Sequence, residues 1–120
     1  MRQKTVIEEF NYKVTFNNHE LEKFKVEFAK NPAYAMKWAE GVFKLAAENE
    51  IYAKILKCFE INGVKKSVVD SLIKQFTSEV MQEIRYPTRS TSPTSNLMAQ
   101  AEATVKSELI EELSRIVWEE

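Results

Sequence analysis

The sequence predicts a mainly α protein, a four- or five-helix bundle-like domain with one short N-terminal β-strand and a C-terminal amphipathic helix after a flexible linker. Three observations lead there. The 120 residues include only 2 Gly and 3 Pro, too few for a turn-rich β architecture, and are rich in the helix formers Glu, Lys, Ala and Leu. Apolar residues recur at helical spacing along most of the chain. A hydrophobic content of 44% supplies one core, in a length typical of one domain.

The strand is predicted at Phe10, Tyr12, Val14 and Phe16, which alternate with Asn11, Lys13 and Thr15 in the period-two pattern of a half-buried strand. No clear second strand follows. Because edge N–H and C=O groups must be satisfied, this segment is expected to pair with a second copy, with another protein, or with its own body. Asn17 and Asn18 then offer caps for a helix carrying Leu21, Phe24 and Phe28 on one face and stopping near Asn31. Asn31-Pro32 restarts the chain, since Pro is tolerated in the first turn. The row Ala35, Ala39, Val42, Phe43 and Ala46 continues into Ile51, Ile55, Leu56 and Phe59. It makes one long helix to about Glu60, or two shorter ones divided at Glu48-Asn49-Glu50.

Asn62-Gly63 is a stop, because Gly accepts the left-handed conformation that ends many helices. The next helix starts at Lys65 to Ser67 and ends before Pro87. Its apolar stripe, Val68, Val69, Leu72, Ile73, Phe76, Val80, Met81 and Ile84, is wide enough for a helix sunk in a core. Residues 1–86 thus form a helical body with the N-terminal strand. Residues 87–96 have the Pro, Thr, Arg and Ser composition of a solvated linker, with ends about 17 Å apart as a soft coil. Residues 97–120 form the last helix, with Leu97, Ala101, Val105, Leu109, Leu113 and Val117 at every fourth position. That row drifts around the helix and suits ridges crossing another helix at an angle. Six Glu against Lys106 and Arg115 give this segment a charge of −4 and leave +3 on the first 96 residues. An amphipathic helix of this length needs a surface to dock on, either its own body or a neighbouring subunit.

Composition narrows the function classes. With 17 basic against 18 acidic residues, the chain is not built to coat phosphate backbones. No signal-like or bilayer-spanning stretch is present, and the single Cys58 fits a reducing compartment; a cytoplasmic protein without membrane attachment is expected. His19 is the only histidine, so no triad and no zinc set can be assembled. No catalytic residue, metal or cofactor is assigned, and the protein is read as non-catalytic.

The most motif-like stretch runs from Gly63 through Ile73 after an apolar helix. With Val64, Val69 and Leu72 in the anchoring positions it resembles the turn and second helix of a helix-turn-helix module, spanning residues 50–76, although the small residue expected four positions before the Gly falls on Phe59. The resemblance implies Lys65, Lys66, Ser67 and Lys74 as DNA contacts and makes a DNA-binding regulator the alternative. The main expectation is a homodimeric interaction module that also engages an unidentified protein. Phe10, Tyr12, Val14, Phe16, Val105, Leu109, Leu113 and Val117 are its oligomer interface. Tyr34 and Trp38, which share a helix face, form its partner surface.

Overall fold

The computed structural model describes residues 5–31, 33 and 35–118, and of residues 35–38, 40, 93 and 94 the backbone alone. Among the described residues the chain forms four helices: α1 Val6–Lys30, α2 Ala35–Asn62, α3 Lys66–Arg85 and α4 Pro93–Ser114. Apart from an isolated bridge at Val117, no described residue lies in a strand.

The predicted strand is therefore helix, and the reason lies in its flanks. Val6, Phe10, Val14, Asn17, Leu21, Phe24 and Phe28 form one unbroken row at steps of three and four, and all are at least half-buried, so the helical period continues far beyond the seven residues that alternate. Phe10 and Val14 belong to that inner row. Tyr12 and Phe16 fall on the outer face instead. Asn17 and Asn18 cap nothing, for they lie inside α1; its actual end is at Lys30, where the Asn31 N–H donates to the Glu27 carbonyl at 2.9 Å.

α2 is one helix and runs straight through Glu48-Asn49-Glu50. Those polar side chains do not interrupt it because they are used sideways: Asn17 Nδ2 donates to Glu48 Oε2 at 2.8 Å, and Asn49 Nδ2 donates to Asn18 Oδ1 at 2.8 Å. α2 stops as expected at Asn62, with Gly63 at φ 82° and its N–H bonded to the Phe59 carbonyl at 2.7 Å.

The predicted linker is also corrected. α4 begins at Pro93, four residues before Leu97, with Ser92 as N-cap accepting from the Ser95 N–H and Pro in the first turn. The segment before it is tied down by side chains. Glu83 accepts from both the Thr88 N–H (2.8 Å) and the Thr88 hydroxyl (2.9 Å), while Asn96 accepts from the Ser90 N–H (2.9 Å) and donates to the Ser90 carbonyl (3.1 Å). A composition of Ser, Thr and Asn is read here as local side-chain-to-backbone bonding, the other use of those residues.

α2 packs against α1 and α4, and α4 against α2 and α3, giving a row in the order α1, α2, α4, α3. The molecule measures 54 × 34 × 22 Å, its thinnest dimension about two helix diameters. The core is drawn from one part of this row: Val6 and Phe10 of α1, Ala47, Ile51, Tyr52, Ile55 and Phe59 of α2, Val69, Leu72 and Phe76 of α3, and Val105, Leu109, Leu113 and the following Ile116. From 18 to 46 no described residue is fully buried. The α1–α2 hairpin thus extends past the core, with Asn17 and Glu48 at its root.

Candidate interaction surface

The outer face of α1 is set by the same period that builds the core. Placing Val6, Phe10 and Val14 inward turns Tyr12 and Phe16, four residues apart, toward solvent. Tyr12 is 69% and Phe16 51% exposed, and their rings stack on each other with centroids 6.5 Å apart at 23°. Val26, 52% exposed, lies further along the same side. Around it Lys23 pairs with Glu20 at 3.2 Å and Lys25 with Glu22 at 3.0 Å, i,i+3 surface pairs of small energetic weight.

Beside this face the structure is held by a mixed polar and aromatic contact. Lys13 Nζ donates to both oxygens of Glu112, at 2.9 and 3.0 Å, and stands 5.7 Å from the ring centroids of both Phe10 and Tyr52. It ties α1 to α4. The Phe10 and Tyr52 rings are themselves stacked at 5.3 Å. Burial pushes the Tyr52 phenol up, and the carboxylates of Glu48, Glu112, Glu108 and Glu9 push it further in the same direction. The phenol stays protonated and supplies no base.

A second charged contact joins α3 to α4. Lys106 Nζ lies 2.7 Å from Glu79 Oε2. Burial works to raise the Glu79 carboxyl, but hydrogen bonds from Lys106 and Gln75 and the Lys106 and Lys54 charges outweigh it and hold the group below the usual range. Glu102 of α4 moves the other way: burial raises it, and the nearby Glu50 carboxylate adds to the rise against the pull of Lys106 and Lys54. Among the described residues no three His, Cys, Asp or Glu side chains gather as a metal site, and no helix is long and apolar enough to cross a membrane. Grooves exist, such as one of about 270 Å³ lined by Leu21, Phe24, Phe28 and Val42 along the hairpin.

The residues expected to form an oligomer interface divide into two groups. Phe10, Val105, Leu109 and Leu113 lie inside the chain's own core at 1% exposure or less, and Val14 is half-buried against it. Tyr12, Phe16 and Val117 are exposed. Val117 leaves the every-fourth-position row because α4 ends at Ser114; the chain turns at Arg115, and Ile116 takes the inward place. Tyr34 and the side chain of Trp38 lie outside the described residues. Lys65, Lys66 and Ser67 are exposed at the start of α3 and Lys74 is exposed about two turns further along, with the exposed Asp70 between Lys66 and Lys74 on one helical row.

Sequence reasoning missed two features. Asn17, 4% exposed, is a polar residue at a core position of α1, and its signal was an Asn interrupting an apolar row at helical spacing. Met81 and Ile84 read as core but are 43% and 66% exposed, with Tyr86 at 71%. The α3 stripe is wider than the surface that α4 covers. No family model, curated protein or solved structure matches this chain.

Proposed function

We propose that this protein is a non-catalytic helical interaction module that forms a homodimer and engages a further protein partner, with the outer face of α1 as the contact surface. The stacked pair Tyr12–Phe16, both rings more than half exposed, carries the reading. Large aromatic side chains yield about 1.5–3 kcal/mol each on full burial, and rigid aromatic anchors are the side chains that dominate contact energetics. Two of them held together on a helix that is firmly docked through its opposite face form a preorganised contact, since little conformational entropy remains to be lost on association.

Light scattering on the full chain across a concentration series tests this, alongside the variant Tyr12→Ser/Phe16→Ser. The expected result is a mass rising above the 14.0 kDa of one chain for the natural protein and a constant 14.0 kDa for the variant, with unchanged helical circular dichroism. A natural chain that stays at one-chain mass throughout overturns the homodimer. The DNA-binding alternative rests on Lys65, Lys66, Ser67 and Lys74 and is separated by fluorescence anisotropy with duplex DNA: binding that weakens with salt and with Lys66→Ala/Lys74→Ala would displace the interaction reading.

A further inference from the structure

We infer that two copies of this chain pair through α1 in antiparallel register, across a two-fold axis at His19. The inference rests on the interaction reading above and specifies its geometry. Thr15 and Lys23 lie four residues either side of His19, Tyr12 and Val26 seven, and Glu8 and Lys30 eleven. Steps of four, seven and eleven keep all of these positions on one stripe of α1, within about 80° of arc at 100° per residue. Every one of them is exposed. The stripe therefore maps onto itself when reversed, which is the requirement of an isologous two-fold contact.

The pairs so generated are chemically matched. Tyr12, 69% exposed, meets Val26, 52% exposed, of the second copy, twice. Glu8 meets Lys30, and neither has an ion-pair partner among the described residues. The Thr15 hydroxyl is already satisfied by the Asn11 carbonyl at 3.0 Å, so Thr15 presents its methyl group to the aliphatic stem of Lys23. Phe16, stacked on Tyr12, borders the seam at the level of Lys23 of the second copy, within reach of a cation–π contact. A parallel pairing would oppose Glu8 to Glu8 and Lys30 to Lys30; the antiparallel one opposes unlike charges and unlike helix ends. Space permits it, because α1 is the terminal helix of the row, packed on α2 and tied to α4 through Lys13, while every position of the stripe is exposed. A single helix pair about 37 Å long belongs to the small interfaces, below about 1,200 Å², so the dimer is weak and reversible.

Disulfide trapping in the full chain tests the register. In a Cys58→Ser background, His19→Cys, Tyr12→Cys, Val26→Cys and, as an off-seam control, Lys25→Cys are oxidised mildly and separated without reductant, with light scattering on the unoxidised samples. His19→Cys is expected to form covalent dimers at about tenfold or more the yield of Lys25→Cys, since pairing raises the effective thiol concentration above the bulk value. Tyr12→Cys and Val26→Cys are expected to remain monomeric alone and to cross-link to each other when mixed. Self-cross-linking of all three seam variants would mean a parallel pair and overturn the inference. So would a dimer by light scattering with no trapping at His19, which would leave the interaction reading standing on another surface. A one-chain mass for every unoxidised sample, the Cys58→Ser parent included, would remove both.

Discussion

Replacing Asn17 by alanine isolates the polar contact at the root of the α1–α2 hairpin. Asn17 is 4% exposed and donates to Glu48 Oε2 at 2.8 Å, a hydrogen bond to a carboxylate, of the class contributing about 1.5–3 kcal/mol. Alanine recovers roughly 0.5 kcal/mol through its better helix propensity, so the net loss is about 1–2.5 kcal/mol. For a chain of 120 residues, 1 kcal/mol corresponds to about 4 °C, and Tm should fall by about 4–10 °C. Thermal and urea unfolding followed by circular dichroism read this directly. The companion variant Asn17→Leu/Glu48→Leu removes donor and acceptor together, and because no buried group is then left unpaired it should be close to neutral or more stable than the natural chain. A double-mutant cycle through Asn17→Leu and Glu48→Leu gives the coupling. Two results refute the reasoning: Asn17→Ala within about 0.5 kcal/mol of the natural protein, or a double variant no better than the worse single one.

Two further expectations concern the glycines and the carboxylates. Gly41 is an exposed residue inside α2, and an added Cβ would meet only Phe24 Cζ at 3.7 Å. Gly41→Ala should therefore raise stability by up to about 1 kcal/mol, whereas Gly63→Ala, at φ 82°, should lower it by about 1–2 kcal/mol, both read by urea midpoint. Glu102, raised in the folded state by burial and by Glu50, binds its proton more tightly folded than unfolded. Its contribution to stability is thus full below the unfolded pKa and is lost as pH rises through the folded one. Glu102→Gln should be more stable than the natural chain at pH 7, with the advantage vanishing on acidification. Glu79, lowered in the folded state, has the opposite sign: its contribution is present above the unfolded pKa and is lost as pH falls through the folded value, so the stability difference of Glu79→Gln should shrink in acid.

The helical period made most of the fold legible. Three of the four helix ends could be placed within about two residues, within the ordinary uncertainty of boundaries, because they carry local chemistry: Asn31-Pro32, Asn62-Gly63 and Tyr86-Pro87. The failure at Phe10–Phe16 is of a different kind. Two periods coincide there, and the alternation arises because Tyr12 and Phe16 are apolar residues placed where packing asks for polar ones. A short window attributes that to a strand; the longer row from Val6 to Phe28 assigns it to a helix with an apolar outer face. The residues that misled the fold prediction are thus the ones on which the proposed interaction surface rests, in keeping with the tendency of functional sites to break local pattern. The Ser92-Pro93 start of α4 is legible as cap and first-turn proline, whereas the Ser/Thr composition around it points to a linker.

The division of labour between α1 and α4 also decides how self-association must be measured. Val105, Leu109, Leu113 and Ile116 are each 6% exposed or less and pack with α2 and α3 side chains in one core. At about 1.5–3 kcal/mol for each buried side chain, their removal withdraws about 6–12 kcal/mol, comparable to the whole stability of a domain, about 5–15 kcal/mol. A chain ending at Tyr86 should therefore lose cooperative thermal unfolding and bind a hydrophobic dye through the uncovered faces of α2 and α3, keeping at most partial helicity. Its solution mass would then report aggregation of exposed core and say nothing about the α1 face. A truncated chain that melts in one sharp transition would show that α4 contributes little to the core, against the burial of all four side chains. Point substitutions on the outer face of α1 leave that core intact, and for this reason they, and not deletion, separate self-association from unfolding.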